Sequence, residues 1–509
     1  MYEQSDSRLP DGRHESLWRA TSETTDYESL DGNPHVDTAV VGGGIAGITT
    51  AAKLREEGQS VALFERDRIL DAVTGHTTAK ITSLHGMPYH YLSKRVSQRA
   101  ARLYARANEA AIEDIAETVE ESDIDCEFTT RTAYTYVTDP DQRRRIHKEV
   151  SKAKKFGLNA SYVGGIEPPV PAAAAIAVEN QASFHPRAYL LALAEEIPGP
   201  NSDIFEETRV TDVSDGTPCT VETDYGVVRA DDVVIATHFP IVDKGLYFLR
   251  LRPKRSYVIA AEIAGEQPEG MYYCPEEPYF SIRPASIDDQ ELVLFGGANH
   301  RTGDGPSAEH YRDLEGAVRE HFEVESVEYF WSTQDFKTPR GVPYIGELGP
   351  QTDHLYVATG FGGWGMTGGT VAGILLRDRI LGRDNRWARA YSPSRLYPIA
   401  GIGEFISSNA ETTRHMADRP LSRPSEFEAG ALDAGEGDIF KIAGEKVAIY
   451  RDEDDELHAV SAICSHMGCQ VSWNDAEKSW DCACHGSRFD IDGSVLDTPA
   501  VENLEQFDL

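Results

Sequence analysis

Seven cysteines occur in this 509-residue chain, and four of them crowd into one short segment near its end. It reads Cys464-Ser-His466-Met-Gly-Cys469, then Cys482-Ala-Cys484-His485-Gly-Ser487. Two loops that each offer a Cys and a His limit the end of the chain to a small module in which those loops converge. A [2Fe–2S] cluster with two thiolates on one iron and two imidazoles on the other needs this set of donors. Cys464 and Cys482 would serve the first iron, and His466 and His485 the second. Cys469 and Cys484 are left over and could close a disulfide between the loops. The competing reading is a structural zinc site built from the same residue types. Zinc leaves the two additional cysteines and the Gly-Ser after His485 unexplained.

The pattern resembles a Rieske domain, and the extra cysteine pair resembles the subclass found in respiratory cytochrome bc complexes. The resemblance implies a Ser487 hydroxyl bonded to a bridging sulfide, a Pro499 loop over the cluster and imidazoles that face outward as the electron exit. Phe489 stands where many relatives have Tyr. One potential-raising hydrogen bond is then missing, and a lower reduction potential is expected. Ala483 replaces a frequent Pro.

A second motif fixes the other end of the chain. Val36 to Val41 is a short β-rich run that feeds into Gly42-Gly-Gly44-Ile-Ala-Gly47. Thr49 to Glu57 has helical composition, and Val61-Ala-Leu-Phe64 closes on Glu65. This is a βαβ unit with G-x-G-x-x-G at its first turn and an acid about 20 residues on. Gly42 permits the tight turn, Gly44 lets the backbone approach a pyrophosphate, and Gly47 allows close helix–strand packing. The helix N-terminus attracts the phosphates, and Glu65, with Arg66 beside it, would meet the adenosine ribose. Thr74 to Lys80 is a small-residue turn in which Thr77 and Thr78 could touch the cofactor; the plain reading is a loop. His85 and His90 fail as an iron pair, because Pro88 interrupts them and no acid lies just upstream.

Helical periodicity runs from Leu92 to Glu121 and from Asp139 to Phe156, and His185 to Glu195 reads as another helix. Thr129 to Val137 and Ala160 to Val163 read as strands, and Pro168 to Ala175 as a connector. Asp232 to Thr237 is a buried strand ending on a small polar residue. Ser256 to Ala264, Met271 to Pro284 and Leu292 to Gly297 suit an antiparallel sheet, and Thr338 to Gly346 a turn. Leu355 to Thr359 then passes through Gly360, Gly363 and Gly365 into a helix bearing Met366 and Thr367. A helix N-terminus aimed at a flavin would stabilise its anionic reduced ring.

In this order, the glycine fingerprint, the Ala-Thr strand end and the closing glycine motif resemble the FAD-dependent oxidoreductases of the D-amino-acid oxidase/glycine oxidase superfamily. The expected fold is an α/β Rossmann-like FAD-binding domain with an inserted α+β substrate domain, followed by a small all-β Rieske domain. The boundaries are a polar extension at 1–34, the flavoprotein at 35–385, a linker at 386–425 and the Rieske domain at 426–509. FAD-binding parts fall near 35–90, 200–245 and 335–385. The resemblance implies FAD and a [2Fe–2S] cluster as cofactors. It also implies backbone contact between Val210 and the adenine, Thr237 against the cofactor, and Arg283 with Tyr257 at a substrate carboxylate; the plain reading of Arg283 is structural. Gln334, Asp335 and Lys337 could also face the flavin.

A net charge of −35 is spread along the chain and argues against nucleic acid or anionic membrane as a partner. It suits a solvated surface in high salt, as in halophiles, or alternatively a docking face for a basic redox partner. The first residues show no secretion signal and no window is apolar enough to span a bilayer, so a cytoplasmic protein is expected. The expected activity is oxidation of an amine or amino acid at a CH–NH or CH–NH2 group, with electrons relayed to an unidentified redox acceptor protein or quinone. The alternative is an electron-transfer module that feeds a partner and has no organic substrate; no second G-x-G-x-x-G for a nicotinamide is evident.

Overall fold

The computed structural model describes residues 9–165, 170–277, 279–287, 290–395 and 430–509. Most of the expected linker and the first residues of the N-terminal extension lie outside them.

The strand His35–Val41 is buried from Thr38 to Val41. It pairs in parallel with Val61–Phe64 on one side and Val227–Ile235 on the other. Asp203–Phe205 extends the sheet beyond Val61–Phe64, and Leu355–Thr359 extends it beyond Val227–Ile235, both in parallel. A strand covered on both faces reads as a continuous apolar run, as Val61-Ala-Leu-Phe64 does. The helices Ile45–Glu56 and Gly365–Ile380 lie together, and a Cβ on Gly373 would come within 2.7 Å of Thr49 Cγ2. Small residues therefore let the two helices that start at the two glycine motifs share one face of the sheet.

A second sheet of nine strands forms the other half of the flavoprotein region. Its long strand Arg252–Ile263 pairs with Val324–Lys337 along its length, and with Gln290–His300 on the other side. Phe280–Ile287, Met271–Cys274, Thr129–Val137 and Ala174–Ser183 continue it. The helical stretch expected from Leu92 resolves into Pro88–Arg95 and Gln98–Glu121, divided where the Ser97 hydroxyl accepts from Ala100 N–H. The expected connector to Ala175 overlaps the start of the strand Ala174–Ser183, which pairs with three others. Its alanines carry little β propensity, and burial between neighbouring strands decides its state.

The N-terminal extension belongs to the body. Trp18 is fully buried, with its indole N–H donating to Thr77 O at 2.6 Å. At the far end, residues 430–509 build a three-stranded and a four-stranded antiparallel sheet with no helix among the described residues. No helix among the described residues is long and apolar enough to cross a membrane.

Candidate active site and cluster site

One cleft runs between the two large sheets and collects most of the residues singled out in the sequence. Gly42, Gly44, Glu65, Arg66 and Val210 line one end, and Gly363, Gly365 and Met366 the other. Thr77, Thr78, Thr237 and Tyr257 line its length. Gly42 has φ +111°, and a Cβ there would lie 2.6 Å from Ala236 O. A Cβ on Gly47 would fall 1.9 Å from Gly42 O, so Gly47 serves the close packing of helix on turn beneath the cleft. Gly360, at φ +79°, turns the chain against Thr338 and Leu251, while Thr367 Oγ1 donates to Thr82 O at 3.1 Å.

Glu65 sits at the end of its strand with its carboxylate accepting from Gly43 N–H at 2.7 Å and Arg66 N–H at 2.9 Å. Burial raises its carboxyl above the ordinary range and these donors oppose the shift. The helices beginning at Ile45 and Gly365 have no side-chain cap at the Ncap residue, and both open toward this cleft. Ile45 N–H donates to Thr74 Oγ1 at 3.1 Å, and helix N-termini pointing into a cleft suit phosphate and other anions. The bare glycine turn, the terminal acid and the two helix starts fit a dinucleotide such as FAD.

Arg283 lies outside the cleft lining. It is 2% exposed, with its guanidinium 5.0 Å from the Trp18 ring, and burial beside Arg131 pushes it down to about 9. Tyr257 turns its ring toward His300 and Tyr311 in the layer behind the sheet. The lysines of the cleft were not evident from the sequence. Lys80 Nζ donates to Tyr272 O and Ser281 Oγ, each at 2.7 Å, and burial holds it well below its ordinary value. Lys254 lies over the Tyr279 ring at 4.7 Å, cross-strand from Asp335. Burial and the neighbouring Lys337 push it down to about 7. Tyr273, Tyr279 and Trp364 supply aromatic walls. Strand alternation alone could not reveal this cluster, because it draws on segments far apart in the chain.

The two Cys/His loops meet at the edge of the flavoprotein region. Each closes on its own backbone: Cys464 N–H donates to Cys469 O at 2.8 Å, and Cys482 N–H to Ser487 O at 2.8 Å. The His466 and His485 rings stand 5.0 Å apart and perpendicular. Cys469 and Cys484 form a disulfide, so their sulfurs are engaged although they lie beside Cys482. Cys464 and Cys482 are both buried, and the interaction between their thiols lowers Cys464 and raises Cys482 from the usual value. His485 Nδ1 is buried with no hydrogen-bond partner, as a metal-ligating nitrogen would be in the bare protein. Two paired thiols and an orphaned imidazole nitrogen fit a [2Fe–2S] cluster. Ser487 Oγ accepts from Ala500 N–H at 3.0 Å, and Phe489 is fully buried.

The imidazoles differ from expectation in one respect. They face the flavoprotein region: His485 is 4% exposed and meets Phe248 at 6.0 Å, and His466 meets Phe239 at 6.2 Å. The covering surface is a polar seam that no local pattern encodes. Arg301 donates to Ala483 O at 2.7 Å and Cys484 O at 2.9 Å, and Gln334 donates to Gly486 O at 2.7 Å.

Residues 37–379 match the family model for FAD dependent oxidoreductases, and residues 425–508 that for the Rieske [2Fe-2S] domain. The chain belongs to the FAD-dependent oxidoreductase family and carries a C-terminal Rieske domain, so FAD and a [2Fe–2S] cluster are its cofactors. Among named proteins it is similar to YhfW of Bacillus subtilis (strain 168), whose name describes a Rieske 2Fe-2S iron-sulfur protein, with 37% identity over 97% of this chain and 98% of that one. It is 22% identical to the gamma-glutamylputrescine oxidoreductase of Escherichia coli (strain K12), over 74% and 90% of the two chains. Its fold is similar to that of glycine oxidase from Geobacillus kaustophilus, with TM-score 0.59, 18% identity, and 72% and 100% coverage. An L-amino acid deaminase from Proteus vulgaris gives TM-score 0.58 at 18% identity, with 77% and 100% coverage.

Proposed function

We propose that the protein is a dehydrogenase that oxidises the C–N bond of an amine or amino acid and delivers the electrons to an external redox protein or quinone. The carrying observation is the packing of the His466 and His485 rings against Phe239 and Phe248, close to Thr237 and His238 of the cleft. When bound, FAD supplies two-electron oxidation of the organic substrate and the cluster supplies one-electron transfer.

In this reading Gly42, Gly44, Glu65, Arg66 and Val210 hold the adenosine diphosphate half of FAD. Thr77, Thr78, Thr237, Gly363, Gly365 and Met366 border the rest, and Gly47, Gly360 and Thr367 shape those segments from behind. Cys464, Cys482, His466 and His485 hold the cluster. Lys254 and Asp335 offer opposite charges between the aromatic walls of Tyr273, Tyr279 and Trp364, an arrangement that suits a zwitterion. Lys254 binds the carboxylate and Asp335 the ammonium group. Tyr257 supports the sheet from behind with its ring against Tyr311, and Arg283 adds positive charge from behind Lys80. Similarity to the gamma-glutamylputrescine oxidoreductase supports an amine among the candidate substrates.

The test is anaerobic mixing of the purified protein with a panel of amines and amino acids, and separately with NADH, while both chromophores are followed. The proposal expects an amine or amino acid to reduce the flavin and then the cluster. Reduction by NADH alone would favour the electron-transfer module, and a reduced flavin beside an unresponsive cluster would sink the relay.

A further inference from the structure

The cleft has a wall that comes from the other domain. Val495, Leu496, Asp497, Thr498, Ala500 and Val501 line the same space as Glu65, Arg66 and Val210. Arg66 donates to Leu496 O at 2.8 Å, and Thr498 Oγ1 donates to Thr237 O at 3.4 Å. The segment's opposite side is tied to the cluster loop through Ala500 N–H and Ser487 Oγ at 3.0 Å. Arg488, on the strand that follows that loop, reaches Asp497 at 3.4 Å. One stretch of chain thus borders the adenosine end of the dinucleotide cleft and the [2Fe–2S] site together.

We propose that Val495–Val501 of the Rieske domain is the lid of the FAD site over its adenosine diphosphate half. FAD retention and docking of the Rieske domain are then one linked equilibrium: each state that binds FAD more tightly is also the state in which the domain is docked, and the coupling is reciprocal. Arg66 is the hinge of this linkage, because its guanidinium holds a carbonyl of the lid while its backbone N–H holds the Glu65 carboxylate. The inference depends on the dinucleotide site alone and is independent of the substrate proposed above.

Hydrogen exchange on the wild-type protein, before and after removal of FAD, tests it directly. The lid peptide should exchange at least tenfold faster without FAD, while the buried strand segment Val447–Ile449 of the same domain keeps its protection. Equal exchange of the lid in both states overturns the proposal. The variant Val501→Asp, which places a carboxylate in the lid, should release FAD at least tenfold faster with the cluster's electron paramagnetic resonance signal retained. An unchanged release rate with the signal retained also overturns it. If the variant loses its cluster, the wild-type exchange comparison decides alone.

Discussion

Glu477 is the charged centre of the seam between the two domains, and Glu477→Gln is its sharpest perturbation. One carboxylate oxygen accepts from Tyr311 Oη at 2.9 Å and Ser332 Oγ at 2.7 Å, with Arg255 at 3.6 Å and His14 at 3.5 Å. Arg488 approaches the other oxygen at 3.8 Å. Breaking a buried ion pair by removing one partner costs about 3–5 kcal/mol, and a hydrogen bond to a charged group contributes about 1.5–3 kcal/mol. Glutamine keeps one carbonyl acceptor, and Asp481 still faces Arg255 and Arg488, so a loss of about 2–4 kcal/mol of docking energy is expected. At about 1.4 kcal/mol per tenfold, that is roughly a 30- to 1000-fold larger open fraction. The amide of Ala308 donates across the seam to Asp475 Oδ1 at 3.1 Å, so its hydrogen exchange reads the opening. An acceleration below about threefold would refute the assignment of docking energy to this carboxylate. The pH dependence gives a second check. Burial would raise the Glu477 carboxyl, but the His14 contact together with Arg255 and Arg488 holds it well below its ordinary value of 4.5. A carboxyl depressed on folding stabilises above its unfolded pKa and loses that contribution as pH falls through the folded one. The titration of this carboxyl should therefore leave docking unchanged above pH 4.5 and loosen it only in stronger acid.

Three further outcomes are expected. Gly42→Ala drives a Cβ to 2.6 Å from Ala236 O at φ +111°, and the purified variant should lose FAD, seen as a missing flavin absorbance; a yellow, fully loaded protein would contradict the placement. Lys254 is pushed down to about 7, so it is cationic below that pH and neutral above it. KM for a carboxylate-bearing substrate should rise as pH passes 7, and Lys254→Met should raise KM at least about tenfold, the loss of about one charged contact, and abolish that pH step; an unchanged profile would remove Lys254 from the site. Phe489→Tyr adds a hydroxyl beside the cluster loops, and hydrogen bonds toward the sulfurs raise the potential, so a redox titration should move upward from a wild-type value at the low side for the family.

Both cofactors and the two-domain fold were legible in the sequence because their signals are local. A glycine fingerprint between a β run and a helix, or two Cys/His loops a few residues long, carries its chemistry within one turn of backbone. The disulfide Cys469–Cys484 was likewise readable as the pair left over beside the cluster ligands, and the structure contains it. Beyond those signals the pattern thinned. Ala174–Ser183 is alanine-rich, so burial between paired strands, rather than propensity, made it a strand. Lys80, Lys254 and Asp335 border one cleft only because the second sheet brings their three strands to it. The direction of the imidazoles is set by Arg301, Gln334 and Glu477, which lie in three separate parts of the chain and act across an interface. Local chemistry thus specified which groups the chain would bind, while long-range packing alone decided how the two sites face each other, since that depends on contacts between residues hundreds of positions apart.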